Sequence, residues 1–337
     1  MTHPQAGPAD TDRPIDAIDL RLRHTESGYP APMDAAEAGG LAGLGSQTEA
    51  VSARHASLWR DAWRRLLRNR LAVIGLVIVV SFMLIAIIAP LLAPYGESEV
   101  VDVRLARYHP TWQWPMGLDA NGRDMFSRMM YGARVSLLVG VVAQFIILAI
   151  GIPIGAIAGY YSGSTDSFLM AFVNVIYAIP QVLLVLMFVN WRGPGLINIF
   201  LAIGLIGWVT EARLIRGQFM TLREQEYVKA ARVAGASGPY IILRHLLPNS
   251  MTPIIVAMTF GIPTAIFTEA AISFVGVGIR PPQASWGQMV GIGSQAGYVQ
   301  SDPHMLLFPV LAIGLTMLGF TFLGDGLRDA LDPKGND

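Results

Sequence analysis

The sequence predicts an all-α membrane protein whose chain crosses the bilayer six times. Only 14% of its 337 residues are charged and 53% are hydrophobic, whereas soluble domains carry about 25% charged residues. The mean hydropathy is +0.47. The chain also contains several uncharged runs close to the ~20 residues that an apolar helix needs to cross the hydrocarbon. A soluble protein with one large core rarely has several such runs, so we expect a polytopic membrane protein.

Residues 1–57 are expected to form a disordered cytoplasmic tail, because they are rich in Ala, Gly, Asp, Pro and Thr and poor in large apolar residues. The stretch Gly40–Gly45 follows no strand pattern and is interpreted as a flexible linker rather than a phosphate loop. The first residues show no basic stretch followed by an apolar run, so no cleavable signal peptide is expected. The first apolar run should therefore remain as a membrane anchor.

Residues 58–133 are expected to hold an amphipathic helix, the first span and an extracytoplasmic loop. Leu58–Arg70 places Trp and Leu at helical spacing with Arg between them, which is typical of a helix on the inner membrane surface. It leads directly into Leu71–Leu92, an uncharged run that we assign as span one.

Residues 134–327 are expected to form a domain of five further spans, followed by a cytoplasmic tail over residues 328–337. Asn174 and Gln181 fall within the third span and should face the bundle interior, because an unpaired polar side chain is costly in lipid. The fourth span is short and should continue past Glu211. The five predicted spans are Val135–Ala158, Phe168–Val189, Leu196–Thr210, Thr252–Ile279 and Met305–Leu323.

The distribution of Arg and Lys predicts that both termini lie in the cytoplasm. With this orientation, the cytoplasmic side holds the arginines before span one and the basic residues between spans four and five, and it is the richer side. The loop over residues 93–134, which would lie outside, also carries several arginines. The excess of Arg and Lys on the cytoplasmic side therefore holds for the loops taken together and not for each loop. The formal net charge is zero, which provides no basic surface for nucleic acid.

The segment over residues 211–250, between spans four and five, is too long for a simple turn. Tyr227–Ala234 consists of helix formers, and Gly235 is typical of the residue that ends such a helix. Ser237–Pro239 favours the start of a second short helix, which should end before Pro248, where the next span opens. The sequence therefore predicts two short cytoplasmic helices that meet at a bend of small residues. On physical grounds alone, this bend suits an ordinary surface and a docking site equally well.

A motif in this segment resembles the signature of the permease subunits of ATP-binding-cassette (ABC) importers. Lys-Ala-Ala, three residues, Gly, nine residues and His-x-Leu-Pro occupy Lys229–Pro248, where that family has Glu-Ala-Ala, three residues and Gly, followed by a terminal Leu-Pro. Met116–Gly140, Ala271–Val290 and Phe322–Lys334 are similar to the C-type permease subunit of dipeptide and oligopeptide importers. The resemblance covers about residues 58–334 and implies a type I importer permease fold with cytoplasmic coupling helices.

The resemblance also implies that residues 211–250 are a coupling loop, which inserts into a cleft of a separate ATP-binding subunit. Lys229 departs from the family pattern, because Glu is usual at this position, and the reversed charge leaves its partner contact open. The residues expected to contact the ATP-binding subunit are Tyr227, Lys229, Ala230, Ala231, Arg232, Gly235, Ala236, Ser237 and Pro248.

The partners and the cargo follow from the same resemblance. The partners are a second homologous permease in a heterodimer, two ATP-binding subunits, an extracytoplasmic substrate-binding protein and the lipid of a bacterial cytoplasmic membrane. Neither Lys229 nor Lys334 follows a glycine, so the chain has no P-loop. ATP and Mg²⁺ therefore belong to the partner subunits, and no enzymatic activity or cofactor is expected in this chain. The expected cargo is a di- or oligopeptide; the alternatives are a nickel chelate, glutathione, haem or an oligosaccharide.

Glu269 stands alone in an uncharged span, where a carboxylate at mid-bilayer costs about 2.5–3.5 kcal/mol. We therefore expect it to line the translocation path, together with Asn174 and Gln181. A structural ion pair with Arg134 or Arg280 is the alternative, because the binding protein normally grips the substrate.

Asp119, Arg123 and Asp124 cluster just before span two. Asp119 is interpreted as the cap of a short helix there, and the cluster as a contact for the binding protein.

Glu211, Arg213 and Arg216 lie where span four emerges and are expected to form a stabilising cluster.

Several other functions are disfavoured. The chain has no cysteine, and its six histidines stand at no metal-ligand spacing, so no metal site is predicted. A secondary transporter needs coupling acids in several spans, and only Glu269 fits that description. A membrane enzyme needs a convergent catalytic set and an ion channel needs a filter-like loop, and the sequence shows neither.

Overall fold

The computed structural model describes residues 60–295 and 297–331, so the predicted tail over residues 1–57 lies outside the described residues, as does most of the tail over 328–337. The described residues form helices and no β-sheet. The helices are α1 (60–68), α2 (Arg70–Leu92), α3 (Met125–Tyr161), α4 (Gly163–Tyr177), α5 (Gln181–Arg192), α6 (Leu196–Leu222), α7 (Glu226–Val233), α8 (Gly238–Ile241), α9 (Leu247–Asn249), α10 (Met251–Phe274), α11 (Trp286–Gly293), α12 (Tyr298–Ser301) and α13 (His304–Leu331).

Five helices, α2, α3, α6, α10 and α13, are long and apolar enough to cross a membrane. The pair α4 and α5 meets the same criteria when taken together, although its halves are bent by 78°. Pro180 stands directly before α5, and a proline disfavours helical backbone at the residue before it, which explains the break. With the bent pair counted as one span, the structure confirms the predicted all-helical, six-span fold.

The spans formed by α3, α6 and α13 extend farther than the uncharged runs that predicted them, whereas α10 ends at Phe274, before the predicted end at Ile279. The second span was predicted over Val135–Ala158, but α3 begins ten residues earlier, at Met125. Its start is set by Asp124, whose Oδ2 accepts a hydrogen bond from the N–H of Ser127 at 2.8 Å. The fourth span continues past Glu211 to the end of α6, as expected.

A single residue, Asn69, separates α1 from α2. Its Oδ1 accepts hydrogen bonds from the N–H groups of Leu71 (3.1 Å) and Ala72 (3.3 Å), which caps α2. Leu66 of α1 is buried in one apolar cluster with Ala330 of α13. Ala62 and Leu66 thus pack on the bundle, whereas Trp63 and Leu67 of the same helix are exposed.

Three glycines of α3 bring its backbone against α6. Gly151, Gly155 and Gly159 recur every four residues and therefore form a strip on one face of the helix. A Cβ at Gly155 would lie 2.5 Å from the carbonyl oxygen of Ala212, and one at Gly159 would lie 2.7 Å from that of Arg216. The two backbones are therefore in direct contact, which is the usual way for small residues to join helices in membranes.

The helices α2, α10 and α13 also pack on α3 and on one another. A Cβ at Gly75 of α2 would lie 2.6 Å from the carbonyl oxygen of Gly319 of α13. Glycine therefore also permits the close approach of α2 and α13. Ile266 of α10 and Phe320 of α13 are buried in the apolar cluster that these helices share.

The two ends of the bundle carry different segments outside the spans. At one end, residues 93–124, 275–295 and 297–303 form what we call the lobe, where α2 and α10 end and α3 and α13 begin. Arg128 joins its parts by donating hydrogen bonds to the carbonyl of Glu97 (2.9 Å) and the side chain of Gln288 (3.0 Å). The coupling loop lies at the other end, beside the last turn of α3.

Candidate functional site

The bend of the coupling loop is a helix end closed by a glycine. After α7, Gly235 has a φ of +83°, a left-handed conformation that glycine adopts without steric penalty. The N–H of Gly235 bonds to the carbonyl of Arg232 (3.1 Å), and that of Ala236 bonds to the carbonyl of Ala231 (3.0 Å). This pair of bonds is a Schellman motif, and it confirms that Gly235 ends the first short helix.

The second helical segment of the loop is longer than predicted. Ser237 is extended and Pro239 lies in the first turn of α8, as predicted. The chain then passes through a π-helical turn, Ile242–Leu246, into α9, so Pro248 lies inside the helical segment and not after it. Pro248 has no N–H to donate to the carbonyl four residues earlier, and the wider turn before it accommodates the missing bond. The next span begins at Met251.

We call residues 226–238 the knob. Its underside is apolar, because Val228 is fully buried in one cluster with Phe219 of α6. Its outer face is open, since a Cβ at Gly235 would meet no atom within 4 Å. Val233, at the end of α7, is 90% exposed. The knob therefore presents an uncovered apolar side chain on a well-packed support.

Most of the residues predicted to contact the ATP-binding subunit lie on this open face. Ala231 and Ala236 are half-buried and pack toward the bundle. Lys229 forms an exposed ion pair with Glu226, with 3.3 Å between Nζ and Oε1. A carboxylate is therefore present on the knob even though Lys replaces the usual Glu. The exposed predicted contacts are Tyr227, Lys229, Ala230, Arg232, Gly235, Ser237 and Pro248.

Arg223 fastens the coupling loop to the end of α3. Its guanidinium donates hydrogen bonds to the carbonyls of Gly159 (3.3 Å) and Tyr160 (3.4 Å) and to the hydroxyl of Ser162. The last carbonyls of a helix lack intrahelical partners, and a cation is favoured there. Arg223 thus connects the segment that leads into the knob to α3 as well as to α6.

A polar cavity of about 270 Å³ lies between α3, α5, α6 and α10. Gln181, in the first turn of α5, lines it, although the residue is exposed and not enclosed in the bundle interior. Glu211 of α6 faces the amide of Gln144 of α3 there. Gly261 of α10 leaves room for that amide, because a Cβ at this position would overlap it. Three threonines complete the polar lining, namely Thr210, Thr264 and Thr268.

Comparison with known proteins identifies the family. Residues 151–336, more than half of the chain, match the family described as binding-protein-dependent transport system inner membrane component. Residues 57–110 match the N-terminal transmembrane domain of oligopeptide transport permease C. The chain belongs to this family of ABC importer permeases. The permease is therefore a multi-pass inner-membrane component of a transport system.

Curated relatives agree with this assignment. The permease is 41% identical to the oligopeptide transport system permease protein OppC of Bacillus subtilis (strain 168), over 85% of this chain and 93% of the relative. It is 42% identical to the dipeptide transport system permease protein DppC of the same organism, over 86% and 89% of the two chains. It is 41% identical to the glutathione transport system permease protein GsiD of Shigella dysenteriae serotype 1 (strain Sd197), over 82% and 90%.

The fold is also that of a solved importer. A structure of the MetNI methionine ABC transporter, in an inward-facing conformation, matches with a TM-score of 0.50 at 20% sequence identity. The match covers 62% of the permease and 97% of that chain. At this identity the likeness concerns the fold alone.

Glu269, expected on the translocation path or in an ion pair, is buried in a cluster of hydroxyl groups. Its carboxylate accepts hydrogen bonds from Ser273 (2.7 Å), Ser285 (2.9 Å) and Ser136 (3.3 Å). Among the described residues, none of the ion pairs involves Glu269, so its partners are three hydroxyls rather than the arginines considered from the sequence. These serines come from α10, from the segment before α11 and from α3, so the carboxylate joins three parts of the permease.

The cluster Asp119, Arg123 and Asp124 is largely buried inside the lobe. Asp119 accepts hydrogen bonds from the N–H groups of Asn121 (2.8 Å) and Arg123 (2.9 Å), so it closes a turn and caps no helix. The cap is Asp124, at the start of α3. With Asp119 and Asp124 4% and 3% exposed, their carboxylates are occupied in shaping the lobe.

Glu211, Arg213 and Arg216 do not form the cluster that their spacing suggested. Arg216 makes a bidentate ion pair with Asp166 of α4, with 2.5 Å between Nε and Oδ1 and 2.6 Å between Nη2 and Oδ2. Arg213 donates a 2.6 Å hydrogen bond to Asn174, which is exposed on α4. The two arginines thus hold α4 against α6, and Glu211 is left facing the cavity. Asn174 does not line that cavity.

Sequence reasoning missed Gln144 and Val233. Gln144 lies in an apolar helix without a charged neighbour, and only the position of α6 shows that it faces Glu211. Val233 falls in a helix of ordinary composition, and its exposure follows from the bend at Gly235. The exposure of Val233 could have been inferred from its position directly before the Ala-Gly pair that ends the helix.

Proposed function

We propose that the permease imports di- or oligopeptides across the cytoplasmic membrane, driven by ATP hydrolysis in separate subunits that dock on the knob. The observation that carries this proposal is the knob itself, an open bend whose buried underside packs on α3 and α6. Relatives named for oligopeptide, dipeptide and glutathione transport support the cargo, because glutathione is itself a small peptide. Import of a non-peptide solute by the same machinery is the alternative.

The path from knob to cavity runs through helices that belong to both. The knob follows α6 and precedes α10, and these two helices carry Glu211 and Thr268 of the cavity wall. Closure of the ATP-binding subunits moves the knob, and Arg223 draws the end of α3 with it. The cavity then changes shape as the helices around it tilt, which is the basis of alternating access.

The assembly proposed for this permease follows the family arrangement. A second homologous permease forms a heterodimer with it, and the cavity that holds Gln181 contributes its half of the translocation path. Both termini and the knob lie in the cytoplasm, and the lobe faces the extracytoplasmic binding protein. Within the cluster predicted for that contact, Arg123 is half-buried, whereas Asp119 and Asp124 are buried.

Docking is tested by a charge at the tip of the knob. Val233→Asp is expected to leave the fold intact, because the side chain is 90% exposed, and to reduce retention of the ATP-binding subunits on the purified permease at least about 10-fold, since a charge at a buried interface is strongly unfavourable. Substrate-stimulated ATP hydrolysis should fall with it. Gly235→Arg, which adds bulk at the bend, should act in the same direction.

The matched control is Val103→Asp, which makes the same change at a 69% exposed valine of the lobe. It should leave subunit association unchanged. Wild-type association of Val233→Asp, or equal loss in both variants, would contradict docking on the knob. Uptake of a labelled dipeptide into vesicles, in competition with oligopeptides and with each non-peptide alternative, tests the cargo independently.

A further inference from the structure

Two histidines and an aspartate from distant parts of the chain meet where the lobe packs on the start of α13. His109 comes from the segment between α2 and α3. Asp302 lies just before α13, and His304 is the first residue of that helix. One ligand atom from each lies within 4.8 Å of the other two. No two of the chain's histidines stand at metal-ligand spacing, so this group arises only in the folded protein.

The orientation of His304 is the observation that points to a ligand. This residue is 5% exposed, and its Nε2 lies 3.3 Å from the carbonyl oxygen of Leu118. A carbonyl only accepts hydrogen bonds, so this contact places the proton on Nε2 and leaves a lone pair on Nδ1. Among the described residues, Nδ1 is buried and has no hydrogen-bond partner. A buried acceptor without a partner is uncommon and calls for an occupant.

This arrangement is the usual one around a histidine that binds a metal. Such a histidine donates its other ring N–H to a carboxylate or a backbone carbonyl, which fixes the tautomer and the ring. Here the carbonyl of Leu118 fills that role. Gly117 permits the approach, because it has a φ of +75° and a Cβ there would lie 2.9 Å from Nε2 of His304.

The other two side chains complete a nitrogen and oxygen set. The ring of His109 lies 5.4 Å from that of His304, between centroids. Asp302 is 5% exposed, and its Oδ2 is 3.6 Å from Nη1 of Arg107. The side chain of Arg107 is half-exposed, so it has room to move into solvent when a cation binds to Asp302.

We propose that His109, Asp302 and His304 bind a divalent transition-metal ion, with zinc the best-suited occupant. Two imidazoles and one carboxylate, with an open fourth position, are a common zinc set. Ligand atoms around tetrahedral zinc are separated by roughly 3.4 Å, which follows from bonds of about 2 Å. The exposed ring of His109 closes the remaining gap by a rotation about its side-chain bonds. The bound ion joins the lobe to the last span.

The test uses the full-length permease, purified with its partner subunits and a tag without histidine. Zinc content after equilibration with buffered Zn²⁺ should be about one ion per chain above the background of the other histidines. His109→Ala should lose that ion, and because its side chain is at the surface, the fold should survive. His24→Ala, which removes a histidine outside the group, is the control and should keep it.

A second measurement identifies the ligands directly. The chain has no cysteine, so His109→Cys introduces its only thiolate, and a Co²⁺ probe should then show a sulfur-to-cobalt charge-transfer band that is absent from the wild-type complex. The band should disappear when His304→Ala is added. Equal zinc content in wild type and His109→Ala, no zinc in the wild type, or a cobalt band that persists without His304 would each overturn the proposal. None of these readouts depends on transport.

Discussion

The knob and the lobe both carry charged and polar residues, but they use them in opposite ways. Where α3 meets the lobe, Arg128 is 1% exposed and its guanidinium contacts Glu97, Gln288 and Asp119 of the same chain. On the knob, Lys229 and Arg232 are exposed, and the bend at Gly235 faces open space. Polar groups that are hydrogen-bonded to one another stabilise the fold. Polar and apolar groups that remain exposed are available for contact with a partner. The difference predicts that substitutions in the lobe affect folding and that those on the knob affect assembly.

The largest effect is expected in the lobe, from Arg128→Leu. Removal of a buried cation leaves the carboxylate of Asp119 and the amide oxygen of Gln288 without their partner, at a cost of about 3–5 kcal/mol in stability. Thermal unfolding of the purified permease should show it. Arg104→Leu, at an exposed position of the same lobe, is the control. Equal stability of the two variants would mean that the buried network does not support the lobe.

Glu269→Ala should have an effect of similar size. It leaves three serine hydroxyls buried without their acceptor, and each unsatisfied group costs about 1–3 kcal/mol. Glu269→Gln keeps one acceptor oxygen and should lose clearly less stability. If instead both variants unfold like the wild type and only uptake is lost, Glu269 belongs to the translocation path and not to a structural cluster.

On the knob, Gly235→Ala should have a moderate effect. A Cβ in the left-handed region costs roughly 1–2 kcal/mol per residue, and nothing nearby is crowded by it. The strain falls on the bend alone, so subunit association should weaken while the unfolding temperature of the bundle changes little. Gly235→Asn, which tolerates this backbone better, should recover most of the association. Equal subunit association of Gly235→Ala and Gly235→Asn would argue against backbone strain as the cause of the weakened association.

The smallest effect on stability is expected from Lys229→Glu. An exposed pair such as Lys229 with Glu226 contributes about 0–1 kcal/mol, so unfolding should be nearly unchanged. Association with the ATP-binding subunits should change in its salt dependence, because the charge at the contact is reversed. Identical salt dependence of the two proteins would place Lys229 outside the interface.

Much of the fold could be predicted, because the length and apolarity of each span are properties of a local run of residues. The bend at Gly235 was equally accessible, since its conformation depends on one residue. The break between α4 and α5 follows from Pro180, which lies inside the predicted third span, so this feature too depends on a single residue. Local chemistry was therefore sufficient for most elements and for the bend.

Side-chain partners could not be predicted in the same way. Glu269 is surrounded by serines from three segments, and a search restricted to opposite charges finds only arginines. His109 and His304 meet because the lobe folds onto α13. Their separation in the sequence gives no indication of this contact. Gln144 and Glu211 face each other only because glycines bring α3 and α6 together. Contacts between distant segments require the packing of whole helices.

The glycine strip of α3 also determines how far a small motion travels. Since the backbones of α3 and α6 touch at Gly155 and Gly159, we expect the two helices to move together. With 37 residues and a rise of 1.5 Å per residue, α3 is about 55 Å long. A tilt of about 5° applied at the knob, pivoting at the lobe, therefore sweeps the near end through about 5 Å and the middle of the membrane through about half of that.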